Sequence, residues 1–286
     1  MSETTRFAPS PTGWLHLGHA YAALYAERAA GGGRLLLRVE DLDTTRSRPQ
    51  YVAGIVEDLA WLGIGWAGPI LHQTSRTRAY RDALARLGEL DVTYPCFCTR
   101  REIAQEAALA AEAPHIGTVR YGGTCRELSA KVRASRIARG DPYAIRLDAA
   151  RTAELCGEAS YHESGQDEAS PLGPIPVQPT LFGDIVLARK GLPAAYHLAV
   201  VLDDAFQGVT LVTRGADLSS ATHVQVTLQR LLGLPTPHYQ HHRLILDDQQ
   251  QKLAKRQLSP SLRSLREQGV MPAEIRRRFG FDQRFG

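Results

Sequence analysis

Residues 6–19, Arg-Phe-Ala-Pro-Ser-Pro-Thr-Gly-Trp-Leu-His-Leu-Gly-His, constrain the fold more than any other stretch of the chain. Pro9 and Pro11 fix their own φ, and each pushes the residue before it toward an extended conformation. Gly13 then permits a tight bend. From about Leu17 the run His-Ala-Tyr-Ala-Ala-Leu-Tyr-Ala-Glu-Arg reads as a helix, with strong helix formers and apolar residues at i, i+3 and i+4. His16 and His19 therefore fall on one face near a helix N-terminus, where backbone N–H groups and the helix dipole favour an anion. Gly18 between them presents bare backbone, against which a flat ring such as adenine can lie. Three readings remain open on these residues alone: a nucleotide site, a capped helix with two surface histidines, or a zinc site at His16 and His19, for which no further ligand lies close in sequence.

The chain has 286 residues, 43% of them hydrophobic, enough for one large domain or two. A net charge of +4 is compatible with an anionic partner without requiring one. Met1 to Thr5 is polar and unlike a signal peptide, and no apolar run is long enough to span a bilayer. The expectation is a cytoplasmic protein with no membrane contact, and a monomer, since no association motif is present.

Strand and helix alternate along the first ninety residues. Gly31-Gly32-Gly33 stops the first helix. Arg34 to Val39 reads as a buried strand that delivers Glu40, Asp41 and Asp43 at its C-terminal end, the edge where open α/β sheets bind ligands. Asp43 or Thr44 is placed to cap a helix over Tyr51–Leu62, and another helix is expected over Ser75–Leu87. The middle of the chain differs: an Ala-rich helix near Ile103–Ala111, a basic helix near Leu128–Arg139, and a loose Gly/Pro/Ser/Glu-rich stretch from Gly157 to Pro179. Alternation then resumes. Leu198–Leu202 is expected to be a buried strand ending at Asp203-Asp204, Val209–Val212 a second strand ending at Arg214, and a helix runs from Ser219 or Ser220 to Leu232. Arg243–Leu246 is strand-like. The fold class that follows is α/β: a Rossmann-like parallel sheet split by an inserted α+β zinc-bearing domain. Its expected segments are 1–93 and 191–245 for the sheet domain, 94–190 for the insert, and 246–286 for a loop and short helical remnant.

Two further clusters carry chemistry. Cys96-Phe-Cys98 and Tyr121-Gly-Gly-Thr-Cys125 offer three thiols and a phenol. Two thiolates one residue apart and a third from a distant turn approach the tetrahedral closure of a structural zinc site. Three buried free cysteines are the alternative. Lys252-Leu-Ala-Lys255-Arg256 places two lysines three apart on a loop, able to face one polyphosphate. A solvated basic loop is the alternative there.

Taken together, these motifs resemble a known family. Pro9 to His19 is similar to the "HIGH" motif of class I aminoacyl-tRNA synthetases in its glutamyl form, and Lys252–Arg256 resembles their "KMSKS" loop, with Ala254 and Arg256 where that motif has serines. Arg38–Asp43, the Tyr196-His-Leu-Ala-Val-Val segment and Phe206–Asp217 extend the match over most of the chain. About thirty residues follow Arg256, too few for an anticodon-reading helical domain. With the cysteine cluster, that points to the glutamyl-Q tRNA(Asp) synthetase family. The resemblance implies ATP-dependent, tRNA-independent activation of L-glutamate, followed by transfer to the queuosine base of tRNA(Asp). It implies glutamate binding by Arg6, Phe7, Ala8, Pro9, Ser10, Glu40, Tyr196 and Arg214. ATP binding falls to His16, Gly18, His19, Lys252 and Lys255, with His16, His19 and Lys255 acting on the α-phosphate. Magnesium accompanies ATP, and Cys96, Cys98, Tyr121 and Cys125 become the ligands of one structural zinc. A synthetase that charges a tRNA 3′ end, and a catalytically weak tRNA-binding relative, are the competing readings.

Overall fold

The computed structural model describes residues 2–99, 101–103, 121–164, 173–245 and 260–281. A four-residue strand, β1 (Thr4–Phe7), precedes the Pro9–Gly13 turn and leads into α1 (Leu17–Ala29). The helix ends at Ala30, and Gly31 and Gly32 take φ of 54° and 80°, so the glycine stop acts through the left-handed region. The chain returns in β2 (Arg34–Val39), parallel to β1 with Arg6 beside Leu36, and β3 (Leu71–His72) pairs on the far side of β2. Between them lies α2 (Pro49–Trp61). Its first turn begins with proline and its cap residue, Arg48, makes no side-chain capping bond to the helix. The expected cap is thus corrected: Asp43 instead accepts from the N–H and Oγ1 of Thr45, closing its own turn five residues upstream. A 3₁₀ turn (Gln73–Arg76) then opens α3 (Thr77–Glu89).

The middle of the chain builds a separate antiparallel sheet from β4 (Thr93–Cys96), β5 (Ala144–Leu147) and β8 (Val186–Arg189). The basic segment forms α4 (Ala130–Ala138), and α5 (Ala149–Cys156) follows β5. Apart from Ile103, the expected Ala-rich helix lies outside the described residues. The stretch 157–179 is not simply loose. It contributes β6 (Ser160–Glu163) and β7 (Gly173–Pro176), an antiparallel pair in which Tyr161 faces Ile175. Alternating buried and exposed residues in β6 explain that strand, and Gly173, Pro174 and Pro176 sit on the edge strand β7, where they cost little.

The largest correction falls on Leu198–Leu202. It is the middle of a helix, α6 (Tyr196–Gln207), closed by Gly208 in the left-handed conformation. Leu198, Ala199, Val200 and Val201 are all buried, so no apolar stripe distinguishes helix from strand. The strand comes next, as β9 (Leu211–Gly215), followed by α7 (Ala221–Leu231) and β10 (His238–His242). Residues 243–245, expected as strand-like, have no regular structure; the strand sits immediately before them. β10 lies between β9 and β6, parallel to both. The β1 and β9 edges meet where the Thr210 N–H donates to the Thr4 carbonyl at 2.9 Å. The parallel strands therefore run β3-β2-β1-β9-β10-β6, with β7 antiparallel at the edge. Helices α8 (Leu262–Glu267) and α9 (Pro272–Arg278) return to pack Leu262 and Ile275 against the core around Leu24 and Tyr21 of α1. Among the described residues, no helix is long and apolar enough to cross a membrane.

Candidate active site

The C-terminal ends of β1, β2, β9 and β10 converge on one cavity of about 440 Å³. That edge of an open α/β sheet is where ligands bind. Arg6, Phe7, Ala8, Pro9, Ser10, His16, Gly18, His19, Glu40, Tyr196 and Arg214 all line it. Residues as far apart in the chain as Arg6 and Arg214 are thus brought together. Lys252 and Lys255 lie outside the described residues. The chain on both sides of their segment is at the cavity: Leu244 and Ile245 line it, and Ser261 pairs with His16 in an isolated β-bridge.

The two histidines are fixed by their own helix start. The Gly18 N–H donates to His16 Nδ1 at 3.1 Å, and the His16 N–H donates to His19 Nδ1 at 3.2 Å. Both Nδ1 atoms are acceptors, so each neutral ring carries its proton on Nε2. The ring centroids are 3.9 Å apart. This side-by-side pair at the N-terminus of α1 suits phosphate oxygens, which accept from N–H groups.

Three buried guanidinium groups surround the floor, in different ionic settings. Arg6 donates from Nε to Asp204 Oδ1 at 3.0 Å and from Nη1 to the Thr213 carbonyl at 3.0 Å. Arg38, fully buried, donates from Nη1 to the same Asp204 oxygen at 2.7 Å. Asp204 titrates below the usual carboxylate range: burial opposes its charge, and the attraction of Arg6 and Arg38 outweighs burial. Glu40 behaves oppositely. Burial of its side chain, 15% exposed, outweighs the pull of Arg38 and Arg6 and lifts its pKa to about 7. A ligand ammonium beside it would reverse that balance. Arg214, 6% exposed, has no carboxylate partner among the described residues. It donates to His241 Nε2 (3.0 Å), Gln225 Oε1 (2.6 Å), Thr222 Oγ1 (2.6 Å) and, more weakly, Tyr196 Oη (3.5 Å). A buried cation held only by neutral groups is poorly compensated until an anion arrives.

Arg38, Asp204, His241, Gln225 and Thr222 were not identified as site residues from the sequence. Asp204 carried a signal, as half of an acidic pair next to an apolar run. Arg38 opens the Arg38–Asp43 segment that extends the family match, and nothing local marks His241, Gln225 or Thr222.

The cysteines also meet. The ligand atoms of Cys96, Cys98 and Cys125 all lie within 4.8 Å of one another, and Tyr121 Oη is 3.5 Å from Cys98 Sγ. The thiols are not disulfide-bonded. Cys125 Sγ accepts from the Phe97 N–H at 3.3 Å, a bond that favours thiolate. Three thiols and a phenol, largely buried and able to reach one point, fit a structural zinc ion, with no position left over for a reactive water.

Comparisons with known proteins place the chain in a family. The family described as tRNA synthetases class I (E and Q), catalytic domain, matches residues 3–283. A glutamyl-Q tRNA(Asp) synthetase of Rhodobacter capsulatus is 48% identical over 280 residues, covering 96% of this chain and 99% of that protein. One of Nocardia farcinica is 45% identical, covering 94% and 81%. A glutamate–tRNA ligase of Aquifex aeolicus is 37% identical and is covered over 55% of its length. Among solved structures, a glutamate–tRNA synthetase from Elizabethkingia anophelis superposes with a TM-score of 0.72 at 29% identity over 90% of this chain. This chain spans 53% of that one, about half its length.

Proposed function

Because the chain belongs to the class I tRNA synthetases of the glutamate and glutamine type, and is a ligase of the aminoacyl-tRNA synthetase kind, we propose that it activates L-glutamate with ATP and then transfers it to the queuosine base of tRNA(Asp). One observation carries the reading. A single cavity combines a buried cation with no direct carboxylate partner among the described residues, Arg214, a carboxyl suited to an ammonium group, Glu40, and the histidine pair at a helix start.

Glutamate brings two carboxylates and one ammonium. In this reading Arg214 and Tyr196 hold the side-chain carboxylate, Arg6 serves the other carboxylate with the part of its fork that Asp204 and Thr213 do not use, and Glu40 takes the ammonium. Ala8 and Ser10, with Phe7 and Pro9, form the wall. ATP lies along Gly18, its phosphates toward His16 and His19, with Lys252 and Lys255 contributing from the following loop. Magnesium, when bound, screens the β- and γ-phosphates. A carboxylate oxygen of glutamate attacks the α-phosphorus, and pyrophosphate departs with the electrons of the broken P–O bond. The charge that develops on the α-phosphoryl oxygens faces the Nε2–H groups of His16 and His19. An acceptor hydroxyl then attacks the carbonyl carbon, AMP leaves with the acyl–oxygen electrons, and the hydroxyl proton is released. Cys96, Cys98, Tyr121 and Cys125 would hold one zinc ion, which would tie the turn at 121–125 to the end of β4 and supply no chemistry to the reaction.

The test is glutamate-dependent ATP–pyrophosphate exchange without tRNA, followed by transfer to queuosine-containing tRNA(Asp). Exchange without tRNA, and label that persists after trimming the tRNA 3′ end, support the proposal. Label lost on trimming identifies a 3′-end-charging enzyme, and absence of exchange identifies a tRNA-binding relative.

A further inference from the structure

The strand β6 ends at Glu163, inside the stretch between Gly157 and Pro179 that carries no recognisable motif. Glu163 is buried and reaches the site through one intermediary. Its carboxylate accepts from the His241 N–H at 3.0 Å and from His241 Nδ1 at 2.6 Å. The other ring nitrogen, Nε2, accepts from Arg214 Nε at 3.0 Å. Both bonds form together only in the neutral tautomer with its proton on Nδ1.

The sheet builds this chain of three. Arg214 and His241 are direct neighbours on parallel β9 and β10, and Tyr239, two residues before His241, is the neighbour of Glu163 on β6. Period-2 alternation puts all three functional side chains on the same side of the sheet. The Tyr239 and His241 rings lie parallel, 5° apart, with centroids at 6.3 Å, and Arg214 lies 5.5 Å from the Tyr239 ring centre. The imidazole plane is therefore fixed from two directions.

Charge explains why an intermediary is there. Arg6 is paired directly with Asp204, which occupies part of its fork. A carboxylate placed directly on Arg214 would likewise compete with a substrate carboxylate. Glu163 instead supplies its negative charge one imidazole away, supporting a buried cation whose terminal nitrogens meet only the neutral Gln225, Thr222 and Tyr196 and carry no protein carboxylate among the described residues.

We propose that Glu163 and His241 are positioning residues that hold the Arg214 fork ready for a substrate carboxylate, and so set the preference of this pocket for an acidic over an amide side chain. The inference rests on the glutamate-activating function proposed above, and its test separates the two.

Glutamate and glutamine affinities are measured by calorimetry, beside exchange kinetics, for the native chain and for His241→Leu, His241→Gln and Glu163→Gln. His241→Leu is expected to weaken glutamate binding about tenfold or more and raise its KM alike, with the KM for ATP unchanged and the glutamate-over-glutamine preference reduced. His241→Gln, whose amide can donate to Glu163 and accept from Arg214, restores most of the loss. Glu163→Gln keeps the shape, removes the charge, and gives an intermediate loss; it decides the matter if His241→Leu does not fold. Selective loss of glutamate binding without any exchange in the native chain leaves the positioning role standing and refutes the function. Unchanged glutamate affinity in His241→Leu, or in Glu163→Gln where the former does not fold, overturns the positioning role, as does an equal rise in the KM for ATP. A native chain that binds no glutamate overturns both.

Discussion

Glu40 makes glutamate binding depend on pH in a way the structure fixes in sign and size. A carboxyl whose pKa rises from 4.5 to about 7 is one whose charge the empty pocket disfavours by about 3 kcal/mol. Burial is the main cause, and Arg38, 4.0 Å away, only partly offsets it. Binding an ammonium requires the ionised form, so binding below pH 7 must expel a proton. The sign follows: affinity rises with pH up to about 7 and then levels off. For one group of this pKa, affinity at pH 6 is about tenfold weaker than at pH 8. The ammonium and both carboxylates of free glutamate keep their charges over that interval, so the ligand adds no slope of its own. Calorimetry without ATP, at pH 6, 7 and 8 and in two buffers of different ionisation heat, reads both the affinity and the proton released. Glu40→Gln should bind weakly at every pH and show no slope. Equal affinity of the native chain at pH 6 and pH 8, or a slope that survives Glu40→Gln, refutes the assignment of Glu40 to the ammonium.

Two further outcomes follow from other parts of the molecule. Removing zinc with a chelator, or substituting Cys98→Ser, should lower the melting temperature and speed amide hydrogen exchange in β4 and β5, with activation affected only secondarily; an unaltered melting curve after verified metal loss excludes the structural role. Asp58 on α2 has both carboxylate oxygens buried without a hydrogen bond, and Arg266 of α8 stands 3.8 Å away. Burial outweighs that attraction and raises its pKa to about 6, so the folded state binds the proton more tightly than the unfolded one, and stability falls as pH rises from about 4 to 6. Asp58→Asn should therefore gain in melting temperature relative to the native chain as pH goes from 5 to 7.5, by several degrees; a difference that does not change with pH argues against a charged, costly Asp58.

The sequence by itself determined the features that depend on near neighbours in the chain. The Pro9–Gly13 turn, the histidine pair capping α1, the glycine stop at Gly31 and the carboxylate at the end of β2 each follow from residues a few positions apart, and the structure has them where local chemistry puts them. The cysteines were legible as a group because spacing alone suffices to nominate metal ligands. Tertiary structure decided what spacing cannot encode. β1 is only four residues long and has no pattern to read until β2 pairs with it. Four consecutive residues of α6, Leu198–Val201, are all buried, which erases there the period that separates helix from strand. The ionic settings of Arg6, Arg38 and Arg214 differ because of partners as far as 207 positions away, Asp204 and Thr213 among them, brought beside them by the assembled strands and helices. Charge balance in a buried site is a property of three-dimensional neighbours, and for that reason the roles of Asp204, His241 and Glu163 emerged only when the sheet was assembled.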